Sequence, residues 1–325
     1  MTKPKIVVPG GSGACGQSIA THFQDWGWDV VVLSRKPNVP SATKSVAWDG
    51  ESLGCWVDEL SGAQAVLNLS GRSVNCRYTE ANSKAIYESR LKSTAIIGQA
   101  LQVVSNPPPV WLNASTATIY RHALDHPQTD ENGEIGVGTG PDADPKWKFS
   151  LDVAKKWESE LFSAPLRRIR RVALRSSMVF GTQKGGVFDV LSVLVRRGLG
   201  GKQGNGLQKV SWIHESDFCR AVAWSIEHDS VDGPINVCAP NPVSNSELMA
   251  ELRKAWGVPL GLPVTKLMLE LGAVLMRTET ELILKSRWVV PSKLLGLGFE
   301  FQFPTIQECV TDLVLALNSA RARPS

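Results

Sequence analysis

The feature that most constrains this chain is a cluster of glycines close to its start. Gly10, Gly11, Gly13 and Gly16 follow Ile6-Val7-Val8 directly and precede a helical pattern carrying Ile19, Phe23 and Trp26 at i, i+4 and i+7. A second β-branched run, Val30-Val31-Val32-Leu33, comes next. Strand, glycine turn, amphipathic helix and strand in that order form a βαβ unit, and there each glycine has a separate reason. Gly10 permits the tight turn, Gly13 lets the backbone approach a pyrophosphate, and Gly16 lets the helix pack closely on the strand. The helix opening at Ala14, Cys15 and Gly16 presents free N–H groups and a positive dipole end to the phosphates. The first expectation is therefore a dinucleotide site at Gly10, Gly13, Ala14, Cys15 and Gly16.

The end of the second strand selects the dinucleotide. An NAD site usually places Asp or Glu about 20 residues on, bonding the ribose 2′-hydroxyl. Here the position reads Leu33-Ser34-Arg35-Lys36, and no acidic residue occurs from Val30 to Trp48. A hydroxyl, a guanidinium and a nearby ammonium suit a 2′-phosphate, so the cofactor expected is NADP(H).

The rest of the chain sets the architecture. Further strand candidates are Val46-Ala47-Trp48, Ala65-Val66-Leu67-Asn68-Leu69, Val110-Trp111-Leu112-Asn113-Ala114 and Val172-Ala173-Leu174. They alternate with helical stretches, among them one from about Glu80 to Val104 with Ile97, Leu101 and Val104 on one face, stopped by Pro107-Pro108-Pro109. The fold class predicted is α/β, a Rossmann-like doubly wound parallel sheet with a smaller, mostly helical C-terminal lobe. Residues 1–180, with about 207–238, are assigned to the cofactor-binding domain. Residues 181–206 and 239–325 are assigned to the lobe closing over the open end of the sheet. The 325 residues suffice for both cores, and 43% hydrophobic with 20% charged residues is ordinary for a soluble globular chain.

Other function classes are disfavoured. A net charge of +4 is too small to argue for a nucleic-acid binder. The basic run Arg167, Arg168, Arg170 and Arg171 reads as a solvated loop ahead of a buried strand. The most apolar late segment, Leu262 to Met276, contains Lys266 and Glu270 and is too short and charged to span a bilayer. The start shows no signal-peptide hydrophobic region. None of the six cysteines forms a C-x-x-C pair or stands near a histidine at ligand spacing, so no metal site is expected and a reduced, cytoplasmic chain fits.

Longer motifs carry a more specific resemblance. They include Val32-Leu33-Ser34-Arg35-Lys36-Pro37, Trp48-Asp49, Asn68-Leu69-Ser70-Gly71, Glu88-Ser89-Arg90, Ser115-Thr116-Ala117, Trp157-Glu158 and Gly198-Leu199-Gly200-Gly201. Ser211-Trp212-Ile213-His214, Asp217 and Ala239-Pro240-Asn241-Pro242-Val243-Ser244-Asn245 continue them. Along nearly its whole length the chain resembles the atypical 39U branch of extended short-chain dehydrogenases, the SulA-type nucleoside-diphosphate sugar epimerases. The resemblance implies a Rossmann domain with a small C-terminal domain of unassigned function. It implies NADP(H) contacts at Ser34, Arg35, Leu69, Ser70 and Arg90, with Trp48, Gly71 and Ser115 in the same motifs. Related dehydrogenases often pair through helices flanking the sheet, so a homodimer is an expectation of the same kind. Two details depart: Ala14-Cys15 stands where the family usually has Phe-Ile, and Ile119-Tyr120-Arg121-His122 replaces Gly-Tyr-Tyr-Gly.

The catalytic half is only partly written. Ordinary short-chain dehydrogenases use Tyr-x-x-x-Lys on a helix, the lysine lowering the tyrosine pKa. An unperturbed tyrosine titrates near pH 10, so losing that help costs roughly 4 kcal/mol at pH 7. Tyr78, Tyr87 and Tyr120 are followed four residues on by Asn82, Leu91 and Leu124, so no such pair exists. Matching on Trp157-Glu158 puts Ser150 and Ala154 in its place. Thr116 corresponds by resemblance to the hydroxyl residue that bonds the reacting oxygen, although a local backbone role competes. Tyr120 and His214 are candidate proton handlers. For His214 an ordering role with Asp217 at a loop-to-helix turn is the competing reading. Two functions follow. One is an NADP(H)-dependent oxidoreductase or epimerase-like enzyme acting on a small molecule; the other is a catalytically silent NADP(H)-binding protein that reports redox state to a partner.

Overall fold

The computed structural model describes residues 3–36, 43–138, 144–265, 268, 270 and 279–322. Pro37, at the end of the second-strand motif, and most of Leu262 to Met276 lie outside them. Strands β1 (Lys5–Pro9), β2 (Asp29–Ser34), β3 (Lys44–Ala47), β4 (Ala65–Asn68), β5 (Val110–Thr116), β6 (Arg170–Ser176) and β10 (Gly233–Val237) form a seven-stranded sheet. Its order is β10-β6-β5-β4-β1-β2-β3, and every pairing is parallel. Strand order reverses at β1, so the crevice outside the carboxyl ends of β1 and β4 is the topological switch point where ligands bind in such sheets.

The alternation of side chains along each strand builds two cores. Ile6, Val8, Val30, Val32, Leu67, Leu112 and Leu174 face helix α1 (Ala14–Asp25) through Ile19 and Phe23, and helix α5 (Glu215–Glu227) through Phe218 and Val222. Val7, Val31, Leu33, Val66, Trp111 and Ala173 face helix α2 (Glu80–Val103) through Ile97 and Leu101, and helix α3 (Lys148–Ser163) through Leu161. Trp26 does not join the inner face of α1. The helix ends at Asp25, which leaves Trp26 at the cap and 49% exposed, and Trp28 packs on the core instead.

The sequence reading had no strand at β10. Gly233 and Pro234 open it, residues unfavourable inside a sheet, but at an edge a missing N–H costs little. The basic run also differs from expectation. Arg170 donates to the carbonyls of Ser225, Ile226 and Val231, and Arg171 to those of Phe162 and Ala164. These two guanidiniums close the C-terminal ends of α5 and α3, where the dipole favours a cation.

A third core holds the C-terminal part. Helices α4 (Val187–Arg196), α6 (Asn245–Ala255) and α9 (Ile306–Ala322) pack around Phe180, Trp212, Leu248, Leu252, Val310 and Leu313. Two small sheets feed it: β7 (Met178–Phe180) beside β9 (Trp212–His214), and β8 (Lys209–Val210) beside β11 (Val243–Ser244). Short helices α7 (Glu281–Leu284) and α8 (Ser292–Gly296) lie between α6 and α9 in sequence. No helix among the described residues is long and apolar enough to cross a membrane.

Candidate cofactor and substrate site

The glycine loop has the geometry of a phosphate cradle. Gly10 has φ +77°, and a Cβ there would stand 2.7 Å from Ser70 N. A Cβ on Gly16 would stand 2.4 Å from Gly11 Cα, so helix and turn can touch only through a glycine. Gly13 is different. Its φ is −76°, and a Cβ would meet nothing among the described residues closer than Gly10 O at 3.6 Å. Neither backbone strain nor internal packing calls for glycine at 13, so the space kept open is on the solvent side. Gly13 caps α1 without a side-chain acceptor, leaving the first-turn N–H groups available. Ala14 is exposed and the Cys15 side chain leans on the sheet core; burial, then the Glu215 charge, pushes its thiol pKa up.

The remaining cofactor candidates ring this loop. Ser34 is buried at the end of β2, its hydroxyl 3.3 Å from that of Ser12, and Arg35 beside it is exposed. Trp48 is 6% exposed, donates its backbone N–H to Ser34 O, and meets Trp56 edge-on. Leu69 and Ser70 back the turn at Gly10, and the buried Ser70 hydroxyl has no hydrogen-bond partner among the described residues. Gly71 lies against the Arg90 guanidinium, which donates to Arg72 O and Ile86 O and stacks over Trp157 at 4.9 Å. Burial pulls the Arg90 pKa down to about 10, and no carboxylate pairs with it among the described residues. An open glycine turn, an orphaned hydroxyl and a cation without an anion suit a dinucleotide phosphate chain.

Thr116 ends β5 at the carboxyl edge, and its hydroxyl accepts from Thr118 N–H at 3.1 Å. Ser115 turns the other way, and its hydroxyl donates to Glu158, which pairs bidentately with Arg175 at 2.8 and 2.7 Å. The expected proton handlers are engaged elsewhere. The Tyr120 phenol accepts from Arg175 Nη1 at 2.8 Å and bonds Asn236 Oδ1 and Thr129 O, with 1% exposure. Burial pushes its pKa up, with Arg175 pulling it back. His214 caps α5 through Nδ1, accepting from Ser216 N–H at 3.0 Å, while Nε2 lies 3.2 Å from Asp312 Oδ2. Its ring stacks on Phe303. Neither residue keeps a free polar atom, because each joins separate parts of the fold.

A polar cluster that sequence reasoning missed sits at Thr118, two residues beyond Thr116. Lys285 Nζ donates to Thr118 O at 2.7 Å, and Arg287 Nε to Thr118 Oγ1 at 3.1 Å. Ser150 Oγ donates to Glu281 Oε2 at 2.6 Å and lies 3.4 Å from Tyr78 Oη. Burial pulls Lys285 down to about 8 and pushes Glu281 up. The signals were Ser150, which stands in the place of the missing tyrosine, and Glu281 with Lys285 at helical i, i+4 spacing, which looks like a solvated surface pair. Among the described residues no group of histidines, cysteines and carboxylates could hold a metal.

Comparison with known proteins agrees with this geometry. Residues 6–238 match the NAD dependent epimerase/dehydratase family, and residues 264–313 match a domain of unknown function, DUF1731. An epimerase family protein of Mycobacterium leprae is 30% identical, with 99% of this chain and 97% of the relative covered. One of Staphylococcus epidermidis is 27% identical over 96% of this chain and 99% of its own length. The crystal structure of human epimerase family protein SDR39U1 with NADPH superposes with a TM-score of 0.82 at 25% identity, covering 96% of this chain and 99% of that one. The chain belongs to the NAD dependent epimerase/dehydratase family, as a 39U-type extended short-chain dehydrogenase with the DUF1731 C-terminal domain.

Proposed function

We propose that this protein is an NADP(H)-dependent oxidoreductase or epimerase-like enzyme that acts on a small molecule held at Thr116. The observation that carries it is Arg35, exposed at the end of β2 beside the Ser34 and Ser12 hydroxyls, with no acid from Val30 to Trp48. A carboxylate there would repel a 2′-phosphate, whereas a guanidinium can bond it bidentately. The NADPH in the human relative's structure supports the choice. Bound nicotinamide would give or take a hydride. The Thr116 hydroxyl would orient the substrate oxygen, the glycine loop would hold the pyrophosphate, and Arg90 would answer its charge.

Calorimetric titration with NADPH and NADH tests the cofactor. NADPH is expected to bind more tightly, and Arg35→Ala to weaken NADPH by about 10- to 100-fold while barely changing NADH, the value of a charge-assisted hydrogen bond. Tighter NADH binding by the wild type would sink the assignment. NADPH consumption with a panel of carbonyl compounds and nucleotide sugars tests the reaction. The engaged Tyr120 and His214 favour a second reading, a catalytically silent NADP(H)-binding redox reporter. It requires NADP⁺ and NADPH to change a partner's affinity differently, since a ligand shifts an equilibrium only by differential affinity.

A further inference from the structure

Several separate elements meet at Thr118, whose N–H bonds the Thr116 hydroxyl. Tyr78 comes from the loop between β4 and α2, half-buried, its ring tilted against Phe149 at 4.8 Å. Ser150 comes from the first turn of α3, and Glu281, Lys285 and Arg287 from α7 and the segment after it. Ser150 links the first and last of these, 3.4 Å from Tyr78 Oη and 2.6 Å from Glu281 Oε2. Glu281 is 4% exposed, yet its other oxygen, Oε1, has no hydrogen-bond partner among the described residues. The Lys285 ammonium stands 4.0 Å from that oxygen, beyond hydrogen-bond reach. Lys285 and Arg287 bond Thr118, Arg287 Nη2 also donates to the Glu281 backbone carbonyl, and Thr118 N–H bonds Thr116 Oγ1. A buried carboxylate serving only as glue would have both oxygens bonded, because an unsatisfied one costs about 1–3 kcal/mol or more. An orphaned oxygen on a buried acid is accounted for if the acid changes protonation in the working cycle.

We propose that Tyr78, Ser150 and Glu281 form a proton relay to the oxygen of a substrate held at Thr116, an assignment that rests on the NADP(H)-dependent reading above. The substrate class is an alcohol with a hydrogen on its carbinol carbon, or the matching aldehyde or ketone. In the oxidative direction the C–H bond breaks and its hydride goes to NADP⁺. The substrate O–H proton passes to Tyr78 Oη, the Tyr78 proton to Ser150 Oγ, and the Ser150 proton to Glu281 Oε2. The products are the carbonyl compound, NADPH and a neutral Glu281; reduction reverses each transfer. The surroundings suit the end of such a chain. Burial pushes the Glu281 pKa up and Glu279 adds to this, while Arg287, Ser150 and Lys285 pull it down. Burial also pushes the Tyr78 phenol up, against Ser150 and Arg287, with Glu281 and Glu279 adding to it; Arg90 lies near enough to interact with it.

The test uses the full chain with NADPH, phenanthrenequinone and a panel of simple aldehydes and ketones as probes. Tyr78→Phe and Glu281→Gln are expected to lower kcat by about 100-fold or more with KM little changed, the usual loss on removing a general acid. NADPH affinity by calorimetry should stay at the wild-type value in both. A second readout needs no turnover. The absorbance change on phenol ionisation is followed against pH, and Tyr78→Phe identifies the Tyr78 component. In Glu281→Gln that component should move to lower pH, because the carboxylate facing the phenolate is gone. Wild-type kcat in Tyr78→Phe, or an unmoved Tyr78 titration in Glu281→Gln, overturns the relay and leaves the cofactor and reaction reading standing. No reduction of any probe by NADPH-bound wild type overturns the relay and the reaction reading together.

Discussion

At the scale of single residues, the glycines of the first turn separate binding from folding. Gly13 has room for a Cβ and an ordinary φ, so Gly13→Ala should leave the thermal midpoint near that of the wild type or slightly above it, since alanine restricts the unfolded chain. The same methyl group points to where the pyrophosphate would lie, so NADPH affinity should fall at least about tenfold. Gly16→Ala should lose stability outright, because its Cβ would overlap Gly11. Thermal melts and NADPH titrations on the two variants check this, and a Gly13→Ala protein that unfolds early without losing affinity would refute it. The conformational roles of Gly10 and Gly16 could be read from sequence because each depends on a few neighbouring residues. The cluster at Glu281 could not. Ser150 and Glu281 are 131 residues apart, and nothing local at either marks them as partners. Tyr120 misled for the converse reason: its neighbours in sequence resemble a substrate-pocket motif, while its phenol is held by Arg175 and Asn236 from β6 and β10.

At the scale of elements, Arg170 and Arg171 show why a run of charges is hard to interpret from sequence. Both stand at the start of β6, where alternation sends them to opposite faces, and each meets the end of a different helix. A solvated loop and a pair of helix staples have the same local sequence; only the placement of α3 and α5 distinguishes them. Arg170 donates to three main-chain carbonyls and Arg171 to two. Charge-assisted bonds of this kind contribute roughly 1.5–3 kcal/mol net of the hydrogen bonds to water that they replace. Arg170→Ala is therefore expected to lose about 2–4 kcal/mol in urea unfolding with NADPH affinity intact. A change below about 0.5 kcal/mol, ordinary for an exposed residue, would show the staple to be inert. The strands were legible because β-branched runs repeat, and β10 was missed because Gly233-Pro234 is permitted only by its place at the edge of the sheet.

At the scale of the whole molecule, the question is what holds the C-terminal core to the sheet, since Lys285 and Arg287 reach Thr118, next to Thr116, only if it stays docked. The start of α5 provides the joint. Asp217 is fully buried and accepts from Gln302 N–H, Phe303 N–H and Arg220, while His214 stacks on Phe303 and reaches Asp312 on α9. Burial holds the His214 pKa below its ordinary 6.5, against the pull of Asp312, Glu215 and Asp217. Between the folded and unfolded pKa values the unfolded chain carries the extra proton, so stability rises with pH there. The contribution is complete above about pH 6.5 and is lost as pH falls through the folded value. His214→Asn keeps an acceptor at the helix cap and removes the titration. The fall in thermal midpoint from neutral to mildly acidic pH should thus be smaller in His214→Asn than in the wild type, although its midpoint at neutral pH is lower. His22, also held down mainly by burial, contributes equally to both proteins and cancels in the comparison. Identical acid slopes would mean that His214 is charged or neutral alike in the folded and unfolded chains.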